Sequence, residues 1–288
     1  MKSFGVRFYQ GYFHDQAEAN TVHGLLCTIL NKQNDGESPP QIGDGPMKHE
    51  LRELASSANG DVIQGVLALV RDDAPHIREA DGGERPIELE DQEGILEKNY
   101  FLYYRKQQLL VWQVNGRASH ISRFENYLAS YAGTPVKFYD ILQEGSFERL
   151  RNGLIKSLKF RIAKRRNANA IDPHNWESDV FDLMGGIGGT VIEVKVSTRR
   201  KGRGLIDKTS DVIHRMMNRD DVSSLQVRMD GQREPIDLFA DRISDRIEVQ
   251  MVGHYPLPRD IIIKLAEAKD RQKQALEASL GTGDEILE

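Results

Sequence analysis

The segment Thr190–Thr198 contains the pattern that most restricts what this 288-residue chain can fold into. Apolar and charged residues alternate there in the order Ile192-Glu-Val-Lys-Val196. Successive side chains of a β-strand point to opposite faces, so this alternation predicts a strand with one apolar face and one charged face. Such a strand belongs in a sheet whose apolar face is covered, and we expect helices to cover it.

The second half of the chain continues in the same way. Leu154–Arg165 is a predicted strand, because Leu158-Lys-Phe-Arg-Ile162 again alternates apolar with basic residues. Further strands are predicted at Ser223–Met229 and Arg246–Val252, and helices at 176–184, 205–219 and 258–280. The resulting order βαβαββα predicts a basic α+β domain over residues 154–288 that ends in a long C-terminal helix.

The first half predicts a second α+β domain, over residues 1–153. We expect strands at 4–9, 61–70, 100–104, 109–114 and 136–142, and helices at 17–31, 47–58 and 120–132. The helix at 47–58 is predicted from the spacing of Met47, Leu51, Leu54 and Ala58. The predicted fold class is therefore α+β with two domains, each a mixed or antiparallel sheet with helices packed mainly on one face.

Charge is distributed unevenly along the chain, whose formal net charge is -5. Residues 1–97 contain 8 Lys and Arg against 18 Asp and Glu, a balance of -10, and residues 71–97 form an acidic, turn-rich loop. Residues 154–204 contain 11 Lys and Arg against 5 Asp and Glu, a balance of +6. The change of sign at Gly153 marks the predicted domain boundary and predicts an anionic partner for the basic segment.

The basic segment supplies the candidate binding residues. Because strand side chains alternate between faces, we expect the basic residues of the predicted strands to share one sheet face, and two basic loops, 163–169 and 199–204, follow these strands. Lysine and arginine neutralise phosphates and release counterions, which drives the binding of polyanions. No base-reading motif is present, so we expect contacts with the nucleic-acid backbone. The candidate DNA-binding residues are Lys159, Arg161, Lys164, Arg165, Arg166, Lys195, Arg199, Arg200, Lys201, Arg203 and Arg228.

Several other classes of protein are disfavoured by composition. A single cysteine, Cys27, rules out a disulfide framework and a cysteine-based zinc site. The histidines are dispersed, and no nucleophile elbow or Walker lysine occurs, so we predict no cofactor, no metal and no catalytic residue. The glycines at Gly185–Gly189 follow a predicted helix, and we interpret them as its end. The N-terminus lacks the apolar segment of a signal peptide, so we expect a cytoplasmic protein.

Three other interpretations stay open. Glu193-Val-Lys195 matches half of the motif of a Mg²⁺-dependent nuclease, although its partner aspartate is not evident: Asp179 and Asp182 fall on a predicted helix and Asp172 in a loop. The same basic face also fits an RNA-binding or regulatory protein. The acidic residues 72–97 are either a solvated linker or a segment that competes with phosphate for the basic face.

From about Val136 to Lys273 the chain resembles the DNA-binding sensor of the two-component Rex phage-exclusion system of lambdoid phages. The similar stretches are Val136-Lys-Phe-Tyr-Asp-Ile-Leu142, the strand Leu158–Ile162, the helix end Phe181-Asp-Leu-Met-Gly-Gly186, the strand Val191–Val196 with its basic continuation, and the late helix. The resemblance implies a non-enzymatic homodimer that binds duplex DNA with little sequence preference. It also implies signalling to a small integral-membrane partner in anti-phage defence. A two-fold dimer would act as a clamp that places two basic faces around one duplex.

Overall fold

The structure is a computed structural model, and it describes residues 1–13, 21–43, 47–71, 75–90, 93–143, 150, 153–163, 191–198, 204–205, 209–217, 222–232 and 234–280. The chain divides into two compact units. The first combines Met1–Ile141 with Ile243–Glu288, and the second is Leu142–Arg242. The second unit is therefore an insertion in the chain of the first.

The elements alternate irregularly between strands and helices. The strands are β1 Lys2–Phe13, β2 Met47–Ser56, β3 Val62–Arg71, β4 His76–Arg78, β5 Glu84–Pro86, β6 Ile95–Tyr104, β7 Leu109–Val114, β8 Val136–Asp140, β9 Ile155–Ala163, β10 Val191–Ser197, β11 Val222–Met229, β12 Ile236–Asp237, β13 Ser244–Val249, β14 Met251–Val252 and β15 Tyr255–Pro256. The helices are α1 Val22–Asn34, α2 Ile121–Ala132, α3 Thr209–Met217, α4 Pro258–Arg271 and α5 Lys273–Leu280.

The first unit is built on a seven-stranded antiparallel sheet of order β13-β1-β7-β6-β3-β2, in which β8 also pairs with β1. Helices α1 and α2 pack on one face, where Phe101, Trp112 and Phe124 are buried. Helices α4 and α5 pack on the other face, where Ile261 and Leu265 are buried. The expectation of helices mainly on one face is wrong for this unit. The central strands are buried on both sides, as their continuous apolar runs require.

The helix predicted at 47–58 is wrong, because these residues form β2. A β-bulge places Glu53 and Leu54 opposite the single residue Gly65 on β3, and Glu53 has a φ of 55°. The extra residue shifts the alternation of β2, so Leu51 and Leu54 face the same core despite their spacing of three. That spacing imitates the periodicity of a helix.

The second unit contains a four-stranded antiparallel sheet of order β10-β9-β11-β12. Its core is lined by Leu158, Phe160 and Ile162 of β9, by Leu225 of β11 and by Met216 of α3. The predicted strands at 154–165, 190–198 and 223–229 are confirmed, and each of their ends lies within two residues of the predicted position. The predicted helix at 176–184 lies outside the described residues.

The C-terminal elements do not follow the predicted division at Gly153. β13 pairs with β1, and α4 packs on the sheet of the first unit, so residues 243–288 belong there. The predicted long closing helix is two helices, α4 and α5, with Gln272 between them. None of the helices within the described residues has the length and apolar character required to cross a bilayer.

Candidate nucleic-acid interface

The strand cations of the second sheet lie on one face, opposite its core. Leu158, Phe160 and Ile162 of β9 are buried on the core side. The intervening Lys159 and Arg161 therefore point to the outer face, with Lys159 half-buried and Arg161 exposed. The alternation in the sequence predicted this orientation.

Cross-strand register places three further residues beside the outward-facing residues of β9. Lys195 on β10 is directly opposite Lys159, and Gln226 on β11 flanks Lys159 on the other side. Arg228 on β11 lies opposite Ser157, near the start of β9. Directly opposite residues in an antiparallel pair share a face, so Lys159, Arg161, Lys195 and Arg228 form one outer surface. We call these four residues the strand cations.

Glu193 neutralises part of this surface. One of its carboxylate oxygens, Oε2, lies 3.0 Å from Nζ of Lys159 and 3.3 Å from Nη2 of Arg161. The hydrogen bond from Lys159, with a smaller contribution from Arg161, lowers the pKa of Glu193. The carboxylate is exposed, so water and salt screen these pairs.

Lys195 and Arg228 are exposed, and neither has a carboxylate partner among the described residues. Asp237 of β12, which pairs with Gln226, is a second acidic side chain on this face. Its Oδ1 already accepts hydrogen bonds from the backbone N–H groups of Phe239 and Ala240. Among the described residues, four cations and two carboxylates lie on this face, which gives it a formal charge of +2.

The residues that flank the second basic loop, Thr198 and Leu205, are both hydrogen-bonded to the start of β9. The backbone N–H of Thr198 donates to the carbonyl of Lys156 at 2.9 Å, and that of Leu205 donates to the carbonyl of Ile155 at 2.7 Å. Gly204 approaches this strand so closely that a Cβ atom there would lie 3.2 Å from the oxygen of Ile155. The residues between these anchors include Arg199, Arg200, Lys201 and Arg203, which lie outside the described residues.

The first basic loop leaves the sheet from the opposite end. β9 ends at Ala163, which pairs with Val191, whereas β10 ends at Ser197, which pairs with Ser157. Lys164, Arg165 and Arg166 follow Ala163 and lie outside the described residues. The seven residues from Ser157 to Ala163 are separated by six steps of about 3.3 Å, which correspond to about 20 Å of strand. The strand cations therefore lie between the attachment points of the two basic loops.

The surroundings of Glu193 and Lys195 differ from those that a metal-dependent nuclease site needs. A metal-binding carboxylate needs an acidic companion, whereas the neighbours of Glu193 on β9 are both cations. No group of three or more His, Cys, Asp or Glu side chains suited to a metal occurs within the described residues. Asp172, Asp179, Asp182 and the glycines at 185–189 lie outside that part of the chain.

Two features of the site were missed from the sequence. The sequence suggests Glu193 as a metal ligand, whereas its pairing with Lys159 and Arg161 depends on cross-strand register, which a single strand pattern does not specify. The second feature is Lys156, whose Nζ lies 3.5 Å from Oδ2 of Asp230; the backbone N–H of Asp230 donates to the carbonyl of Leu154. That ion pair lies beside the loop anchors.

The acidic segment 71–97 contains regular structure in its described parts. β4 and β5 form a short hairpin, in which Arg85 lies 3.4 Å from Glu79, and β6 begins at Ile95. The segment is thus more structured than a solvated linker. Competition between its carboxylates and phosphate for the basic face stays a prediction.

A comparison with protein families identifies residues 62–274, which are 213 of the 288 residues, as matching a family of unknown function, DUF6731. The chain belongs to the DUF6731 family. The match extends from the start of β3 into α5, so the DUF6731 region contains the whole inserted unit and both edges of its basic sheet. A search of curated proteins finds no match to the chain.

Proposed function

We propose that this DUF6731 protein binds duplex DNA through the outer face of its second sheet, by contacts with the phosphate backbone and with little sequence preference. The observation that carries the proposal is the convergence of Lys159, Arg161, Lys195 and Arg228 on one exposed face. Seven further candidate cations adjoin this face in sequence, at both of its ends.

The charge and the size of the face fit a duplex. Duplex DNA carries about one negative charge per 1.7 Å of axis, so a 20 Å length presents about 12 phosphates. The four strand cations match part of that charge, and the two basic loops would supply more. The described cations of this face are lysine and arginine side chains on β-strands, and the sequence contains no base-reading motif, which favours backbone contacts over base readout.

Binding of this kind depends steeply on salt. If the four strand cations each neutralise one phosphate, log K should fall with log salt with a slope of about -3.6, which weakens binding on the order of 100-fold between 50 and 200 mM salt. Fluorescence anisotropy with several labelled 25-bp duplexes of unrelated sequence measures this slope. Salt-independent binding, or binding to one sequence alone, would contradict the proposal.

Substitutions show whether DNA binding depends on this particular face or only on the overall charge of the protein. Lys195→Gln and Arg228→Gln should each weaken binding to all duplexes equally and reduce the slope by about 1. Arg117→Gln removes the same charge from an exposed turn of the first unit and should change neither. Reversing Arg199, Arg200, Lys201 and Arg203 together to glutamate should abolish binding, while circular dichroism shows a retained fold.

The nuclease alternative is tested in the same preparation. Supercoiled plasmid is incubated with the protein and Mg²⁺, and the experiment is repeated with Glu193→Ala. We expect retarded but intact plasmid in both cases, because the neighbours of Glu193 suit ion pairing better than metal binding. Metal-dependent nicking that disappears in Glu193→Ala would favour the nuclease. Competition with a structured RNA of equal charge tests the RNA-binding alternative, and we expect duplex DNA to win.

The role in anti-phage defence is a further part of the proposal and depends on the resemblance to the Rex sensor alone. It requires a small multi-spanning membrane protein encoded beside this chain. Co-expression of the two genes should protect cells against phage infection, and the quadruple glutamate variant of Arg199, Arg200, Lys201 and Arg203 should not protect. Protection by that variant would separate defence from DNA binding.

A further inference from the structure

The second sheet presents one long strand edge that is unpaired among the described residues. β10 pairs with β9 on one side only, and β12 at the opposite edge has two residues. Within the described part of the chain, the backbone groups of Val191–Ser197 make no hydrogen bond beyond β9. A seven-residue strand with a free edge is a template for pairing with another strand.

The edges of the first sheet are protected, unlike the edge that β10 presents in the described part of the chain. At the outer edge of β2, the backbones of Ile42 and His49 exchange two hydrogen bonds, of 2.9 and 2.8 Å. The side-chain amide of Gln33 donates to the carbonyl of Leu51 on the same strand at 3.0 Å. These contacts occupy backbone groups that would otherwise pair with another chain.

Side chains protect the two other edges. On β13, the carboxylate of Asp245 accepts from the backbone N–H of Arg246, and Arg271 donates to the carbonyl of Arg246 at 3.2 Å. On β8, the carboxylate of Glu125 accepts from the backbone N–H of Phe138 at 2.7 Å. Comparable protection of β10 is missing from the described part of the chain.

The sequence of β10 is complementary to itself. We propose that β10 pairs antiparallel with β10 of a second copy of this chain, about a two-fold axis that passes through Val194. In this register Glu193 of each copy lies opposite Lys195 of the other, and Ile192 lies opposite Val196. Opposite charges and branched apolar residues are favourable cross-strand pairs.

The neighbouring registers are less favourable. A two-fold axis at Glu193 would place two glutamates opposite each other, and one at Lys195 would place two lysines opposite each other. Like charges in directly opposite positions are destabilising. The axis at Val194 also gives the longest overlap, since Val194 is the central residue of Val191–Ser197. Charge and length therefore select the same register.

Exposed apolar side chains on β10 also favour pairing with β10 of a second copy of the chain. Val196 is 47% exposed although it lies on the core face of the sheet, beside the half-buried Ile192 and Val194. Val191, on the outer face, is 51% exposed. Pairing would cover both valines and would form about six to eight backbone hydrogen bonds.

The pairing would join two four-stranded sheets into one of eight strands. A two-fold axis perpendicular to the sheet keeps both outer faces on the same side, so the strand cations of the two copies would form one continuous surface. This arrangement differs from a clamp around a duplex. The dimer itself does not depend on DNA binding, and it is tested without DNA.

A cysteine at the two-fold axis tests the register directly. In a Cys27→Ser background, Val194→Cys places two thiols opposite each other with a Cα–Cα distance of about 5 Å, which a disulfide can span. Val196→Cys in the same background is the matched control, because its two thiols would be about 13 Å apart along the strands. We expect the first variant alone to form a crosslinked dimer under mild oxidation. Equal crosslinking of both variants, or none of either, overturns the register.

Charge-reversal variants test the β10–β10 interface, because the molecular mass in solution shows whether the protein is a dimer or a monomer. Light scattering should show twice the 32.7 kDa of one chain for the unmodified protein at tens of micromolar. Lys195→Glu should be monomeric but folded, because it places glutamate opposite Glu193 of the second copy while creating a favourable pair with Lys159 on its own β9. Arg228→Glu makes the same change of charge on β11 and should remain dimeric.

A mixture gives the decisive result. Glu193→Lys should also be monomeric, with its fold checked by circular dichroism because it loses the ion pairs with Lys159 and Arg161. Mixed with Lys195→Glu, it should form a heterodimer in which both cross-strand charge pairs are restored. A monomeric unmodified protein, a dimeric Lys195→Glu or a mixture that stays monomeric would each overturn the proposal. None of these results bears on whether the basic face binds DNA.

Discussion

The carboxylate of Glu125 on α2 accepts a hydrogen bond from the backbone N–H of Phe138 on β8, at 2.7 Å. Glu125 is 3% exposed, and its other oxygen lies 3.6 Å from Nζ of Lys137. A buried acidic residue on a helix thus completes the hydrogen bonding of a strand edge and joins α2 to the sheet.

Removing this carboxylate should destabilise the protein. Glu125→Ala leaves the buried N–H of Phe138 without an acceptor, and we expect a loss of about 1–3 kcal/mol in the free energy of unfolding. Glu125→Gln retains an acceptor oxygen and should lose less than half as much. Urea denaturation measures both values. Equal losses for the two variants would show that the charge of Glu125 matters more than its acceptor.

The bulge in β2 requires a glycine on β3. A Cβ atom on Gly65 would clash with the side chain of Leu54 and lie 2.8 Å from Cζ of the buried Phe101. We therefore expect Gly65→Ala to reduce stability by about 1–3 kcal/mol. Gly116→Ala, where a Cβ atom would meet nothing within 4 Å, should change stability by less than about 0.5 kcal/mol. Thermal denaturation of the pair tests this difference.

His49 should make stability depend on pH. Burial, and next the positive charge of Arg123, lower the pKa of His49 from 6.5 to about 4. As pH falls from about 6.5 to 4, the unfolded chain binds a proton at this residue that the folded protein does not bind. Stability should therefore fall by about 2–3 kcal/mol over this interval.

The variant His49→Gln isolates this contribution. Other groups titrate in the same interval, so the quantity to compare is the loss of stability between pH 7 and pH 4.5 in the two proteins, measured by urea denaturation. The unmodified protein should lose more than the variant. If both lose the same amount, His49 does not titrate in the way proposed.

The anchor at Leu205 should matter for DNA binding. Leu205→Pro removes the N–H that donates to the carbonyl of Ile155, whereas Leu205→Val retains it and trims the side chain. We expect duplex affinity to fall several-fold in the proline variant alone, since the basic loop loses one of its two fixed ends. Anisotropy titration at 50 mM salt compares them. Equal affinities would mean that the anchor does not position the cations.

The local features of the second sheet could be predicted from the sequence because they depend on a period of two. The alternation in β9 and β10 is enough to place Lys159 and Arg161 on one face and Phe160 on the other. The role of Glu193 could not be predicted, because its partners lie on a strand about thirty residues earlier in the chain. Cross-strand register depends on both strands.

The errors have two physical causes. In β2, a bulge gives Leu51 and Leu54 the spacing of helical neighbours, so a strand was predicted as a helix. In β13, the alternating pattern correctly predicts a strand but does not indicate which sheet it joins. Its partner, β1, is more than 200 residues away in the chain. Hydrophobic periodicity is a local signal and does not encode such distant pairings.

The insertion of the second unit has a consequence for synthesis on the ribosome. The backbones of Ile141 and Ile243 are joined by a hydrogen bond of 2.8 Å, although about 100 residues separate them in the chain. When Ile141 has been translated, Phe4, Val6 and Phe8 still lack the cover that Ile247 and Ile261 later provide. Until β13 and α4 have been synthesised, this apolar face of the first unit's sheet lacks its cover, and transiently exposed apolar surface of this kind favours aggregation.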